Sequence, residues 1–364
     1  MMFHRRLFWL STIALLVFCI LPVSNLIARS STHNLTMAIE DPQNFWSFDG
    51  AEGLIALGLW KCCGLSFNPQ QVIIGKSGYL FIGNRYNQVL DQVTGTKTPD
   101  ANAAATWVAN LKGIQEHLSK KRAAFLFVLA PNKHTIYPEF LPSDVVPAPV
   151  SVADIFAEKL QQSGVTFYDA RQELLNLKKT SQAYRKTDTH WTSLGAAITY
   201  AATLRALQFQ IDGLAPLSFA SEEIRREAGD QARMLKLSDL LGEEHDTDFD
   251  MTFENTVQCM GVTPFIGPVG DVCSGPQIAS FIRDQITTTV APQAPNPQVA
   301  LLICDSFCTA HLDLYQNTFR TVHRVHWQHL QGHDLEQQFE RLSPDLVIYQ
   351  LVERDLMRPD LTLH

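Results

Sequence analysis

Ala124-Phe-Leu-Phe-Val-Leu-Ala130 is apolar at every position. A strand with one wet face alternates polar and apolar residues, so a strand apolar throughout must be covered on both faces. Residues 299–304, with Leu301-Leu302-Ile303, and Leu346-Val347-Ile348-Tyr349 read the same way. Shorter strands fit Val165–Tyr168 and 320–326. Helical patterns fit 99–121, 151–163, Ser193–Leu207, 309–317 and 334–342. Strands alternating with helices predict a three-layer α/β/α fold around a mostly parallel sheet. Val72–Phe81 reads as a hairpin. Its Gly75-Lys76-Ser77 lacks the upstream glycine of a phosphate loop and opens a strand rather than a helix, so it is read as a plain turn. Residues 210–297 are polar, broken by Pro and Gly, and weakly periodic; they read as one long insertion or lid.

Chemistry concentrates in Thr187-Asp188-Thr189-His190-Trp191-Thr192. In an extended chain, residues two apart share a face. Asp188 can therefore hold one ring nitrogen of His190 while the other faces a nucleophile, two thirds of a hydrolase triad. The candidate nucleophile is Ser306, just past the strand 299–304, where the mouth of an α/β sheet carries its reactive groups. Ser306 also fits a helix N-cap, a role compatible with catalysis. Cys304 reads as small packing and is a weaker nucleophile candidate. A metal reading through Asp188, His190 and His311 or His323 lacks ligand spacing, and no metal is expected. Asn132, Lys133 and Tyr137 come after the first central strand, and Tyr349 and Arg354 end the last; they are candidates for substrate binding or an oxyanion hole. Each has an ordinary structural alternative.

His4-Arg5-Arg6 is basic, and residues 7–28 carry no charge. A run of that length reaches the roughly 20 residues a bilayer core requires. The basic flank puts the N-terminus in the cytoplasm and the chain beyond Arg29 outside. A cleaved signal peptide is the rival reading, but a small-residue exit is missing. Residues 1–29 are therefore expected to be a signal anchor, 30–69 a membrane-proximal connector and 356–364 a tail. Formal net charge is −8 and no basic run lies beyond the N-terminus, which excludes nucleic acid as the expected partner. An acidic substrate would need a local basic groove. The seven cysteines include Cys259 and Cys273, which bracket a Gly/Pro-rich loop and are the expected disulfide. Cys62 and Cys63 are adjacent, which disfavours their pairing.

The set GKSGYLF, PNKHTIYPEFLP, DTHWTSLGA, ICDSF and VIYQLVERDL resembles the SGNH-hydrolase-like domain of the alginate O-acetyltransferase family, of AlgJ/AlgX type, over residues 70–355. The resemblance implies a fold with circularly permuted motif order, acid and base preceding the nucleophile. It implies Asp188, His190 and Ser306 as the triad and an acetyl-serine intermediate. It implies no cofactor; the acetyl group is relayed by a membrane-bound O-acyltransferase. It implies an exopolysaccharide acceptor, polysaccharide-secretion partners and a bacterial inner-membrane location with the catalytic domain in the periplasm. Cys304 stands where such motifs usually carry glycine, a departure that bears on the oxyanion hole. An acetyl esterase would use the same triad, and an inactive polysaccharide-binding or scaffold subunit is the reading from another class.

Overall fold

The computed structural model describes residues 20–28, 46–242, 245–253, 257–264, 285–330 and 334–358. Its strands are β1 (Val72–Ile74), β2 (Leu80–Ile82), β3 (Ala124–Ala130), β4 (Phe167–Asp169), β5 (Ala220–Arg226), β6 (Asp246–Thr252), β7 (Gln258–Pro264), β8 (Gln285–Val290), β9 (Asn296–Cys304), β10 (Phe319–His326) and β11 (Leu346–Val352). Seven of them form one sheet in the order β4-β3-β11-β9-β10-β8-β7. The first five in that order are mutually parallel, and β8 and β7 add an antiparallel edge. This is the mostly parallel α/β/α sheet that the apolar runs require.

The pleat of β3 shows why its sequence is apolar throughout. Phe125, Phe127 and Leu129 point to one face, against Trp107, Leu111 and Ile114 of the helix Ala101–Lys120 and Phe156 of the helix Val152–Ser163. Ala124, Leu126 and Val128 point to the other, against Ala197, Tyr200 and Leu204 of the helix Ser193–Leu207 and Tyr315 of Leu312–Thr318. The helices Ala101–Lys120, Val152–Ser163 and Ser193–Leu207 each start where a side chain satisfies free backbone donors. Asp100 accepts from Asn102 N and Ala103 N at 3.0 and 2.9 Å. Ser151 and Asp154 form a capping box, and Thr192 accepts from Gly195 N at 3.1 Å.

β1 and β2 pair antiparallel around a turn in which Ser77 and Gly78 have φ of 55° and 82°, the expected hairpin. Within 210–297 the chain is woven into the fold rather than laid over it. β5 pairs with β6, the helix Asp230–Met234 lies against the loop after Thr187, and β7 and β8 extend the central sheet. Ser306 does not cap a helix. The cap is Asp305, which accepts from Phe307 N, and the chain passes through a 3-10 turn, Ser306–His311, before the helix Leu312–Thr318.

The structure pairs Cys62 with Cys63, against expectation, and Cys304 with Cys308. Cys62 and Cys63 lie exposed at the end of the helix Asp49–Cys63, while the two core cysteines are committed to each other. Cys259 lies on β7, and Cys273 lies outside the described residues, as do 1–19 and 29 of the expected anchor, 30–45 of the connector and 359–364 of the tail. Residues 20–28 are helical and dock through Asn25, which accepts from Gly50 N at 2.9 Å. No described helix is long and apolar enough to cross a membrane.

Candidate active site

β3, β9 and β11 end side by side at Ala130, Cys304 and Val352. Asn132, Ser306 and Arg354, each two residues further on, therefore gather at the carboxyl edge of the sheet, where open α/β sheets bind ligands. The loop 187–192 closes over this edge without regular structure of its own. Its backbone is held by side chains from the stretch read as an insertion. Asp246 accepts from Lys186 N at 3.0 Å, from Thr187 N at 3.1 Å and from the Thr187 hydroxyl. Asp248 accepts from Ser193 N at 2.7 Å, and Asp230 from Thr189 N at 2.7 Å. Gly229 N donates to Thr187 Oγ1 at 2.8 Å. A Cβ on Gly229 would lie 2.3 Å from Asp188 Cβ, so only glycine lets this segment approach so closely. From beneath, buried Lys133 donates to the carbonyls of Arg185, Lys186 and Asp188 and to Gln231 Oε1, at 3.2, 3.1, 2.6 and 2.7 Å. Burial pushes its amine down to about 7, with Asp230 and Asp188 pulling the other way. A cage of four acceptors is built for the ammonium form.

Within this frame Asp188 Oδ1 lies 2.8 Å from His190 Nδ1, and His190 Nε2 lies 2.9 Å from Ser306 Oγ. Asp188 also accepts from His190 N at 2.9 Å and from Asp230 N at 3.1 Å, and Arg185 Nη2 stands 3.3 Å away. Burial alone would raise the Asp188 carboxyl. The hydrogen bond and charge of His190, together with Arg185, outweigh it and hold the group well below the usual carboxylate range. Aspartate thus stays ionised and fixes Nδ1 as the proton-bearing nitrogen, leaving Nε2 to accept from serine. The ring of His190 packs on Phe307, the residue after the serine, and Trp191 Nε1 donates to Phe307 O at 3.0 Å. Asp305 Oδ1 accepts from Phe307 N at 2.9 Å and Oδ2 from Val352 N at 2.6 Å, tying the Ser306 turn to β11. Burial, then Asp355, pushes Asp305 up to about 6.

The structure thus brings Asp188, His190 and Ser306 into one hydrogen-bonded chain. The other candidates divide. Arg354 stacks on Phe307 at 5.3 Å and donates to Asn132 Oδ1 at 3.3 Å, beside the Ser306 turn. Lys133 lies behind the acid-base loop, facing its carbonyls. The hydroxyl of Tyr137 accepts from Ala183 N at 2.9 Å, a structural duty. Tyr349 packs edge-on against Phe127 in the core, away from the cavity. Asp188, His190 and Asp230 place ligand-capable atoms within 4.8 Å of one another. All three already hydrogen-bond to one another or to Thr189, while His311 faces Ala196 O and His323 faces Thr288. Sequence reasoning missed Asp230, Asp246, Asp248 and Gln231, whose only signal is a polar stretch near the site.

A cavity of about 690 Å³ opens on the Ser306–His190 pair, lined also by Trp191, by Arg185, Arg225, Arg226 and Arg233, and by the acidic Asp188, Glu227, Asp230 and Asp248. Arg185 and Arg226 face Asp248 at 3.7 and 3.3 Å. Arg225 donates to Thr247 Oγ1 at 2.6 Å, and exposed Arg233 makes no ion pair among the described residues.

The family described as SGNH hydrolase-like domain, acetyltransferase AlgX, matches residues 72–255, about half of the chain. A probable alginate O-acetylase AlgJ of Pseudomonas syringae pv. tomato is 26% identical over 130 residues, 35% of this chain and 31% of that protein. The match thus spans about a third of that relative's length. The O-acetyltransferase domain of Pseudomonas putida AlgJ superposes with a TM-score of 0.51 at 20% identity, covering 80% of this chain and 93% of that one. Bacillus cereus PatB1 superposes with a TM-score of 0.57 at 15% identity, covering 78% and 96%. At these identities the two structures share a fold with this chain.

Proposed function

The chain belongs to the family of SGNH hydrolase-like acetyltransferase domains of the AlgX type, and on that footing we propose that it transfers acetyl groups to hydroxyls of an acidic, alginate-like exopolysaccharide. The observation that carries the reading is the Asp188–His190–Ser306 chain opening on the arginine-lined cavity. Ser306 Oγ attacks the acetyl carbonyl of the donor while His190 Nε2 takes its proton. His190, its charge offset by Asp188, returns that proton to the leaving group, and acetyl-serine remains. A sugar hydroxyl then attacks the acetyl carbon, His190 accepts the hydroxyl proton, and the proton returns to Ser306 as the ester leaves. No cofactor enters this scheme. The acetyl group is relayed by a membrane-bound O-acyltransferase, and Arg225 and Arg233 suit a polymer bearing carboxylates. An inner-membrane anchor within residues 1–29 and a periplasmic domain fit the uncharged run 7–28 and a buried disulfide at Cys304–Cys308, since disulfides persist in oxidising compartments.

The test is incubation of the full chain, in detergent, with p-nitrophenyl acetate and either oligouronates or neutral oligosaccharides of equal length. The expected result is an acetyl adduct on the Ser306 peptide and acetylated oligouronate. An adduct that is released only as acetate, whatever the acceptor, would replace the transferase with an esterase.

A further inference from the structure

Ser306 sits midway along a covalently closed turn. Cys304 is the last residue of β9, Cys308 lies in the 3-10 turn, and their sulfurs are joined. Both are 1% exposed and packed in the core cluster with Leu126, Val128, Leu312 and Tyr315. We infer that the Cys304–Cys308 disulfide is a positioning device for the Ser306 nucleophile, so that acyl transfer depends on its being oxidised; the inference rests on the proposed role of Ser306.

The other fastenings of this turn act on the neighbours of the serine. Asp305 ties Phe307 N and Val352 N, and Trp191 ties Phe307 O. Past Asp305 the backbone is closed by Cys308 N to Asp305 O, at 3.3 Å. The side chain of Ser306 is bonded to His190, the partner it must leave during reaction. A bridge between the residues two before and two after the serine fixes the path between them whatever its side chain does. Stabilisation of a fold by a disulfide grows with the length of the loop it closes, and this loop joins residues only four apart. Its effect is therefore local. A displacement of about 1 Å in a reacting pair costs roughly 100-fold in rate. The Cys304 side chain turns into the core toward Cys308.

Full-length protein and its Cys304→Ala/Cys308→Ala double variant are compared by the rate at which a sulfonyl fluoride labels Ser306, followed by peptide mass spectrometry. Transfer kinetics and thermal midpoints are measured alongside. In unreduced, denatured wild type neither thiol should alkylate. In the double variant, measured where it is still fully folded, labelling and kcat should fall ten- to a hundred-fold with KM nearly unchanged. Treating wild type with a dithiol gives a second reading should the variant not fold. Two electrons and two protons pass to the S–S bond, giving two thiols and the cyclic disulfide of the reagent. Activity should fall and then return on reoxidation, while folded double variant treated alike does not respond. Free alkylation of both thiols, or labelling of the double variant at the wild-type rate, overturns the inference alone. A lowered thermal midpoint with labelling and kcat of the folded variant at wild-type values overturns it in favour of a purely structural bridge. A wild-type Ser306 that takes no sulfonyl adduct overturns the proposed function and the inference together.

Discussion

The two arms of the site are built by different means. Ser306 leaves a buried strand paired on both sides, by β10 and β11, and a disulfide brackets its turn. His190 leaves a loop with no ladder of its own, whose shape comes from polar groups at 229–248. Thr187, Asp188, Asp246 and Asp248 are all at most 4% exposed. A strand arises from periodicity and forgives substitutions that keep size and apolarity. A buried polar network tolerates little, because each lost partner leaves an unpaired group in a low dielectric. The base arm is thus the more fragile half, although its reactive residues are the more conspicuous in sequence.

Three measurements press on this contrast. Asp188→Asn should have the largest effect, a loss of roughly 10⁴ in rate with circular dichroism unchanged, because the asparagine cannot enforce the Nδ1–H tautomer or offset an imidazolium. Near-normal turnover would mean that Asp230, 3.8 Å from His190 Nδ1, can stand in and that the base arm is redundant. Asp246→Ala comes next. It strips Lys186 N, Thr187 N and the Thr187 hydroxyl of their acceptor, and stability should fall by about 4 kcal/mol at 1–3 kcal/mol per orphaned group. Urea denaturation measures it, and a loss below about 1 kcal/mol would show that water replaces the carboxylate. The smallest effect belongs to the one ionisable fastening of the serine arm. Asp305 titrates near 3.8 in the unfolded chain and about 6 in the folded one. Between those values the folded protein holds the extra proton. The contribution of this group is therefore full below about pH 4 and is lost as pH rises through 6. The stability of wild type minus that of Asp305→Asn should fall by about 3 kcal/mol over that window. A flat difference would mean that the carboxylate is ionised throughout.

Much of the fold was legible because burial on both faces leaves no polar residue in the central runs of β3, β9 and β11, a pattern few other arrangements produce. Asp188, His190 and Ser306 could be singled out because acid, base and nucleophile are rare residue types in such settings. Tyr349 was misjudged for a geometric reason. β11 continues to Val352, so Tyr349 is not a strand-end residue, and the pleat turns it toward Phe127. Asp246 and Asp248 could not be picked out, since they alternate with Thr247 in an ordinary polar strand and acquire meaning only when β6 is laid beside residues 186–193. Lys133, a candidate for substrate binding at this edge, faces inward instead, because four carbonyl acceptors hold its amine beneath the loop.

β11 is the last strand among the described residues and the middle strand of the parallel block, between β3 and β9. Until it arrives, β3–β4 and β9–β10 are two separate ribbons with no shared hydrogen bonds, and Asp305 lacks the Val352 amide that anchors it. A chain synthesised from its N-terminus therefore carries Asp188 and His190 long before it can align them with Ser306. On the proposed reading the site is complete only once the sheet closes, and cuts that remove β11 should abolish acyl transfer however much of the chain stays folded.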